Sequence, residues 1–125
     1  MPSKHKKRLL IVEDEKPIAK ALQLKLSHSG FDVELAMNGE EALQCIEKNT
    51  FDLILLDLIM PKMNGFDFLE ELKKRKNSVP VIVSSNLSQE EDMKRVKTLG
   101  AVDYYVKSNV TIAQVVEKVN RYLGA

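Results

Sequence analysis

Four apolar segments of the sequence each end in residues that could take part in chemistry. The residues that follow these segments are, in chain order, Glu13 and Asp14, Asp57, Ser84 and Ser85, and Lys107. If the segments are parallel strands of one sheet, their carboxyl ends share one edge, where open α/β sheets bind ligands. Three carboxylates, a hydroxyl and a lysine would then meet in one cleft. Such a set suits a divalent cation together with a phosphoryl group carried on a carboxylate.

The three acids predict a Mg²⁺ site. Carboxylates held close together repel one another, and a proton binds to one of them unless a cation compensates the charge. Mg²⁺ prefers hard oxygen ligands, typically one or two carboxylates with waters and a phosphate oxygen. We expect Asp14 and Asp57 to be direct ligands and Glu13 to act through water. The backbone carbonyl of Ile59 is expected to reach the same ion.

Asp57 is the best candidate for a phosphoryl acceptor, because it ends the central strand and projects over the cleft. Carboxylates serve as nucleophiles in phosphoryl transfer. The transfer requires charge to be neutralised on three phosphoryl oxygens. Mg²⁺, Lys107 and the Ser85 hydroxyl, together with nearby backbone amides, would supply that neutralisation.

Each of these residues also has a purely structural interpretation. Asp14 could cap the helix that follows it. Asp57 and Ser85 could shape turns, and Lys107 alone would be a solvated surface lysine. The coincidence of all four at one sheet edge favours function. Tyr104, by contrast, reads from its position alone as an ordinary strand residue.

Length and composition indicate one globular domain. The 125 residues are 44% hydrophobic and 30% charged, and the net charge of +1 gives no overall attraction to nucleic acid or membrane. No apolar run approaches the ~20 residues of a membrane helix, so we expect neither a membrane nor a direct nucleic-acid partner. The single Cys45 excludes an internal disulfide and fits a reducing cytoplasm. Residues 1–7 are interpreted as a basic tail and residues 8–125 as the domain.

Strand-like and helix-like segments alternate along that domain. Strands are predicted at residues 8–13, 32–36, 51–57, 81–85 and 101–106, and helices at about 15–29, 40–48, 66–76, 88–99 and 110–123. Asn38 and Gly39 form a turn signal. This alternation predicts an α/β fold, a doubly wound five-stranded parallel sheet of order 2-1-3-4-5 in a flavodoxin-like three-layer (βα)5 arrangement.

The motifs resemble those of the receiver domain of two-component response regulators, the family of the chemotaxis regulators. The resemblance rests on residues 11–15, 52–65, 80–85 and 100–107. It implies that Asp57 is the phosphorylation site and that Glu13 and Asp14 hold Mg²⁺. Lys107 would pair with the phosphate, and Ser85 and Tyr104 would be the switch hydroxyl and switch aromatic.

The resemblance also implies partners and a role. The domain would be a phosphoacceptor in a phosphorelay rather than an enzyme, catalysing only its own phosphorylation and dephosphorylation. The donor would be a histidine kinase or a histidine phosphotransfer protein. Residues 88–123, from the fourth helix to the fifth, would form the output surface for a downstream protein or for an output domain. Whether the receiver stands alone or belongs to a longer protein is left open.

Several residues near the site depart from the family pattern. Ser108 follows the lysine where a proline in a cis bond is usual. A cis bond before a non-proline residue costs ~2.5–4 kcal/mol, so we expect a trans bond, or a cis bond only under strain. Asn86 stands where Ala or Gly is usual, so its amide would crowd the phosphoryl group or bond to it. Ile59 and Leu87 lie two residues after Asp57 and Ser85 and are expected to exclude the water that hydrolyses the phosphoryl group.

Three other functions are disfavoured by the same residues. A haloacid-dehalogenase-like phosphatase needs a second acid two residues after its nucleophile, where this chain has Ile59. A flavodoxin-like cofactor binder needs a phosphate loop rich in hydroxyl groups and glycine after the first strand, where this chain has the acids of residues 13–15. A pseudo-receiver that only binds partners is disfavoured by the complete set of site residues.

Overall fold

A computed structural model of the protein describes residues 6–87 and 89–124. Within these residues, five β-strands alternate with five α-helices. The elements are β1 (Arg8–Val12), α1 (Lys16–His28), β2 (Asp32–Ala36), α2 (Gly39–Lys48), β3 (Leu53–Leu56), α3 (Gly65–Lys74), β4 (Val81–Ser85), α4 (Glu90–Thr98), β5 (Asp103–Val106), a 3-10 helix (Lys107–Asn109) and α5 (Ile112–Leu123). Most of the predicted basic tail, residues 1–5, lies outside the described residues. No helix in the described ranges is both long and apolar enough to cross a membrane.

The strands form one parallel sheet in the order β2-β1-β3-β4-β5. The predicted doubly wound α/β fold is therefore confirmed. In register, Val12 lies opposite Ala36 of β2 on one side and Leu56 of β3 on the other. The residues that follow β1 and β3 consequently lie side by side, at the point where the strand order reverses.

Alternate strand residues face opposite sides of the sheet, and each side has its own apolar core. On one side, strand residues such as Leu10 and Ile54 pack with Phe68 of α3 and Val96 of α4. On the other side, the neighbouring strand residues pack with α1 and α5, through Leu22, Leu26, Val115 and Val119. Every residue of β3 and β4 is buried, as expected for central strands of a covered parallel sheet.

The predicted turn at Asn38 and Gly39 is wrong. Asn38 is the N-cap of α2, where its side chain accepts a hydrogen bond from the Glu41 N–H at 2.9 Å, and Gly39 is the first helical residue. Asparagine serves both turns and N-caps, and parallel strands do not need a hairpin. Gly39 is required for another reason, since a Cβ there would lie 2.6 Å from the Met63 carbonyl oxygen.

The last two helices begin later than predicted. Helix α4 starts at Glu90 with Gln89 as its N-cap, and Ser88, the predicted start, lies outside the described residues. Helix α5 starts at Ile112, where Thr111 and Gln114 form a capping box. The 3-10 helix between β5 and α5 was not predicted. Its first residue is Lys107, which directly follows the end of β5.

Candidate functional site

The three predicted acids converge beyond the ends of β1 and β3. The Asp57 N–H donates to the Val12 carbonyl at 3.0 Å, which keeps the two chain segments adjacent past the sheet. Glu13 and Asp57 are only 3% and 5% exposed, while Asp14 is half-buried. One carboxylate oxygen from each of the three residues lies within 4.8 Å of the others.

Lys107 is held inside this acid cluster rather than solvated. Its Nζ lies 2.5 Å from Glu13 Oε1 and 3.1 Å from Asp57 Oδ2, and its side chain is only 11% exposed. The second oxygen of Glu13, Oε2, accepts from the Glu15 N–H at 3.1 Å. Both oxygens of Glu13 are therefore engaged. Asp57 Oδ1 accepts a longer hydrogen bond, of 3.4 Å, from the Ile59 N–H, and Asp14 and Asp57, unlike Glu13, line an open cavity.

Burial dominates the electrostatics of the site. It raises the pKa of Asp57 above its ordinary value, against the opposing effect of Lys107. Burial raises the pKa of Glu13 as well, and the charge of Asp57 adds to that rise. For Lys107, burial would lower the pKa, but its hydrogen bonds to Glu13 and Asp57 and their charges outweigh burial and raise it. The folded site thus holds negative charge that its lysine compensates only in part.

The donor set fits a Mg²⁺ ion. Ionised Glu13, Asp14 and Asp57 carry three negative charges, of which the ammonium of Lys107 compensates one. The charge of a divalent cation matches the two remaining negative charges. The clustered atoms are the hard carboxylate oxygens that Mg²⁺ prefers. Ile59 lines the same cavity as Asp14 and Asp57.

Ser85 and Tyr104 meet at the backbone of Leu87. Ser85 is fully buried at the end of β4, and its Oγ accepts from the Leu87 N–H at 3.2 Å. The Tyr104 hydroxyl donates to the Leu87 carbonyl, and its ring packs against the core that includes α3 and α4. Tyr105 faces the opposite core. The backbone role of Leu87 has no signal in the sequence, because any residue type supplies these groups.

An open cavity of about 350 Å³ gives access to Asp57. The predicted residues that line it are brought together by four different loops, and Glu15 is an unpredicted member of the lining. The lining residues are Asp14, Glu15, Asp57, Ile59, Ser85, Asn86, Leu87 and Lys107. The Ile59 side chain is 60% exposed, which places it at the mouth of the cavity, whereas Leu87 is half-buried and packs partly against the core.

Two features of the surrounding loops could not be read from the sequence. Gly65 lets α3 begin against Asp57, since a Cβ there would lie 2.4 Å from the Asp57 carbonyl oxygen. The Ser108 N–H donates to Asn86 Oδ1 at 3.0 Å. All described peptide bonds are trans, so the bond between Lys107 and Ser108 is trans as expected.

Comparison with known proteins identifies a matching family. Residues 9–120 match the family model of the response regulator receiver domain. The chain is 40% identical over 105 residues to the probable transcriptional regulator ycf27 of Cyanidium caldarium, an alignment that covers 84% of this chain and 42% of that protein. The chain thus spans less than half the length of that relative.

Solved structures agree with this match. A CheY-like response regulator receiver domain protein from Methanospirillum hungatei JF-1 superposes with a TM-score of 0.89 at 30% identity, covering 96% of this chain and 95% of that one. The response regulator TrrA from Thermotoga maritima, solved in complex with Mg(2+)-BeF, gives a TM-score of 0.80 at 31% identity, covering 93% and 98%.

Proposed function

The chain belongs to the response regulator receiver domain family, and we propose that it is a Mg²⁺-dependent phosphoacceptor in which Asp57 receives the phosphoryl group. The observation that carries the proposal is the position of Asp57. Its carboxylate lies at the accessible cavity, within 4.8 Å of oxygens from both other acids and 3.1 Å from the Lys107 ammonium.

The proposed reaction uses a phosphohistidine of a histidine kinase or a histidine phosphotransfer protein as donor. A carboxylate oxygen of Asp57 attacks phosphorus while the bond from phosphorus to the imidazole nitrogen breaks, and that nitrogen keeps the electron pair. Lys107, already beside Asp57 Oδ2, is placed to pair with a phosphoryl oxygen. In this reaction the receiver catalyses only its own phosphorylation and later dephosphorylation.

Glu13, Asp14 and Asp57, with the backbone carbonyl of Ile59, would hold Mg²⁺. When bound, Mg²⁺ compensates negative charge on the acids and on the phosphoryl oxygens. Glu13 keeps Lys107 in place through its short contact with Nζ. The Ser85 hydroxyl accepts a hydrogen bond from Leu87, and its own proton remains able to donate to a phosphoryl oxygen.

The proposed output is a change of the surface formed by residues 88–123. Ser85 and Tyr104 both bond to Leu87. A movement of Ser85 toward a phosphoryl group would therefore alter the support of the Tyr104 ring. The recipient would be a downstream protein or an output domain of the same polypeptide, as the greater length of the transcriptional regulator relative suggests.

The test is intact mass spectrometry after incubation with acetyl phosphate, with Mg²⁺ or with EDTA. The wild type is expected to gain one phosphoryl group with Mg²⁺ and none with EDTA. Asp57→Asn should gain none, and the matched control Asp67→Asn, which changes an exposed aspartate of α3, should behave as the wild type. An undiminished adduct in Asp57→Asn, or an adduct formed equally well in EDTA, would contradict the proposal.

A further inference from the structure

A side-chain hydrogen bond joins the loop after β4 to the turn after β5. The Ser108 N–H donates to Asn86 Oδ1 at 3.0 Å, although the two residues are 22 positions apart in the sequence. Ser108 directly follows Lys107, whose ammonium contacts Glu13 and Asp57. The bond therefore fixes the chain one residue beyond the lysine of the site.

Both partners of this bond depend on residue types that depart from the family pattern. A proline at position 108 would have no N–H to donate. An alanine or glycine at position 86 would have no side-chain acceptor. The two departures are thus the two halves of one hydrogen bond.

The bond restrains Lys107. A lysine side chain is long and flexible, and its ammonium is a point charge that many rotamers can move away from a partner. Anchoring the backbone next to Lys107 limits displacement of the turn, and so keeps Nζ near Glu13 Oε1 and Asp57 Oδ2 at 2.5 and 3.1 Å. Asn86 is thereby a positioning residue that acts on Lys107 through Ser108.

The same bond decides what Asn86 presents to the cavity. An amide side chain has one acceptor oxygen and one NH₂ donor group. Because Oδ1 faces the Ser108 N–H, the NH₂ group is left for other partners. Asn86 lines the cavity of about 350 Å³ that also contains Asp57 and Lys107. The oxygens of a phosphoryl group are acceptors, which an NH₂ group complements.

We propose that Asn86 has two roles at the site: its oxygen braces the turn that carries Lys107, and its NH₂ group donates to the phosphoryl group on Asp57. The second role rests on the proposed function, whereas the brace is a property of the unmodified protein. The two roles are separable by mutation. Asn86→Ala removes both, and Asn86→Asp keeps an acceptor for Ser108 but removes the donor and adds negative charge.

The brace is tested on metal-free, unmodified protein by NMR measurement of solvent exchange at the Ser108 amide. Exchange is expected to accelerate roughly threefold to tenfold in Asn86→Ala, the range that loss of one hydrogen bond gives, and to stay near the wild-type rate in Asn86→Asp. Asn109→Ala, which changes an exposed asparagine of the same turn, is the control. Unchanged exchange in Asn86→Ala would overturn the brace.

The donor role is tested by titration with beryllofluoride in Mg²⁺, which places a phosphoryl analogue on Asp57. Affinity should fall roughly tenfold in Asn86→Ala, as for a hydrogen bond to a charged group, and further in Asn86→Asp. Asn109→Ala should bind as the wild type does. Wild-type affinity in Asn86→Asp would overturn the donor role. If Asp57→Asn bound beryllofluoride as tightly as the wild type, the proposed function would be overturned. The exchange rate of the Ser108 amide would still show whether Asn86 braces the turn.

Discussion

At the scale of single residues, the ionised carboxylates of Asp57 and Glu13 destabilise the folded protein. Burial raises the pKa of Asp57 and of Glu13, so their ionised forms are less stable in the folded protein than in the unfolded chain. A folded-state pKa above the unfolded one means that the folded state holds its proton more tightly. The resulting penalty on stability therefore grows as pH rises through the range between the two pKa values, and is complete above the folded one.

Asp57→Asn should accordingly stabilise the protein in EDTA. We expect the free energy of unfolding to rise by on the order of 1 kcal/mol at pH 7. The gain should shrink as pH falls toward about 4, near the ordinary pKa of an aspartate. Urea denaturation at several pH values measures this, with Asp67→Asn as the control. A stability gain that is absent at pH 7, or that grows at low pH, would show that the Asp57 charge does not destabilise the folded protein.

Ile59 and Leu87 are expected to slow hydrolysis of the phosphoryl group. The two apolar side chains line the cavity, and they give an attacking water no hydrogen bond that would hold it behind the phosphorus. The double variant Ile59→Asn/Leu87→Glu should lose its phosphoryl group several-fold faster than the wild type. Because Leu87 also packs against the core, Ile59→Asn alone is the cleaner comparison. Equal or slower decay in both variants would show that these positions do not gate water.

At the scale of elements, the loop from β3 to α3 is held by close backbone approaches. Lys62 and Met63 adopt positive φ angles of 48° and 78°, and the Gly39 N–H donates to the Met63 carbonyl at 3.1 Å. Gly65 has the Asp57 carbonyl oxygen and the Leu58 Cα within 2.8 Å of where its Cβ would lie. The phosphoacceptor proposed at Asp57 therefore depends on a glycine eight residues later in the sequence.

Gly65→Ala should damage both stability and phosphorylation. A Cβ at this position must displace the backbone of Asp57, at a cost of about 1–3 kcal/mol. Gly30→Ala is the matched control, because its φ of +99° strains an alanine by about 1 kcal/mol, while its Cβ would meet no described atom within 4 Å. Chemical denaturation should show both variants destabilised, but only Gly65→Ala should phosphorylate more slowly with acetyl phosphate. Equal phosphorylation rates in Gly65→Ala and Gly30→Ala would show that Gly65 does not shape the site at Asp57.

The sequence predicted the elements better than the contacts between them. Strands β1, β3 and β4 were predictable because their apolar runs are almost entirely buried. The edge strand β2 was predicted without error at residues 32–36 from its alternating pattern. Glu13 was expected to act through water on a metal, and its contact with Lys107 was not predicted. The Asn86 to Ser108 bond could not be predicted, because a side-chain bond between distant loops leaves no periodic pattern.

At the scale of the whole molecule, the sheet separates two apolar cores, one on each of its faces. Helices α1 and α5 cover one face, while the other carries the core that contains Tyr104, Leu87 and residues of α3 and α4. A phosphoryl group on Asp57 would bias the second face through Ser85 and Leu87. The size of this bias is limited by the difference in interaction free energy between the two states.

Beryllofluoride with Mg²⁺ should therefore change amide hydrogen exchange in residues 85–108 and leave α1 and β2 nearly unchanged. Ser85→Ala should weaken the response, because it removes the hydroxyl that would move toward the analogue. Tyr104→Phe removes only the hydrogen bond from the tyrosine hydroxyl to Leu87. This variant tests whether that bond transmits the change in exchange. Identical exchange in residues 85–108, with the analogue shown to be bound, would rule out a switch of this kind.

If Asp57 is the phosphoacceptor, the phosphoryl group is carried on its side chain. Borohydride reduces an aspartyl phosphate to homoserine, so reduction after acetyl phosphate treatment in Mg²⁺, followed by peptide mass spectrometry, locates the modified residue directly. We expect homoserine at position 57 and none in a sample treated in EDTA. Homoserine at another aspartate, with residue 57 unmodified, would contradict this expectation.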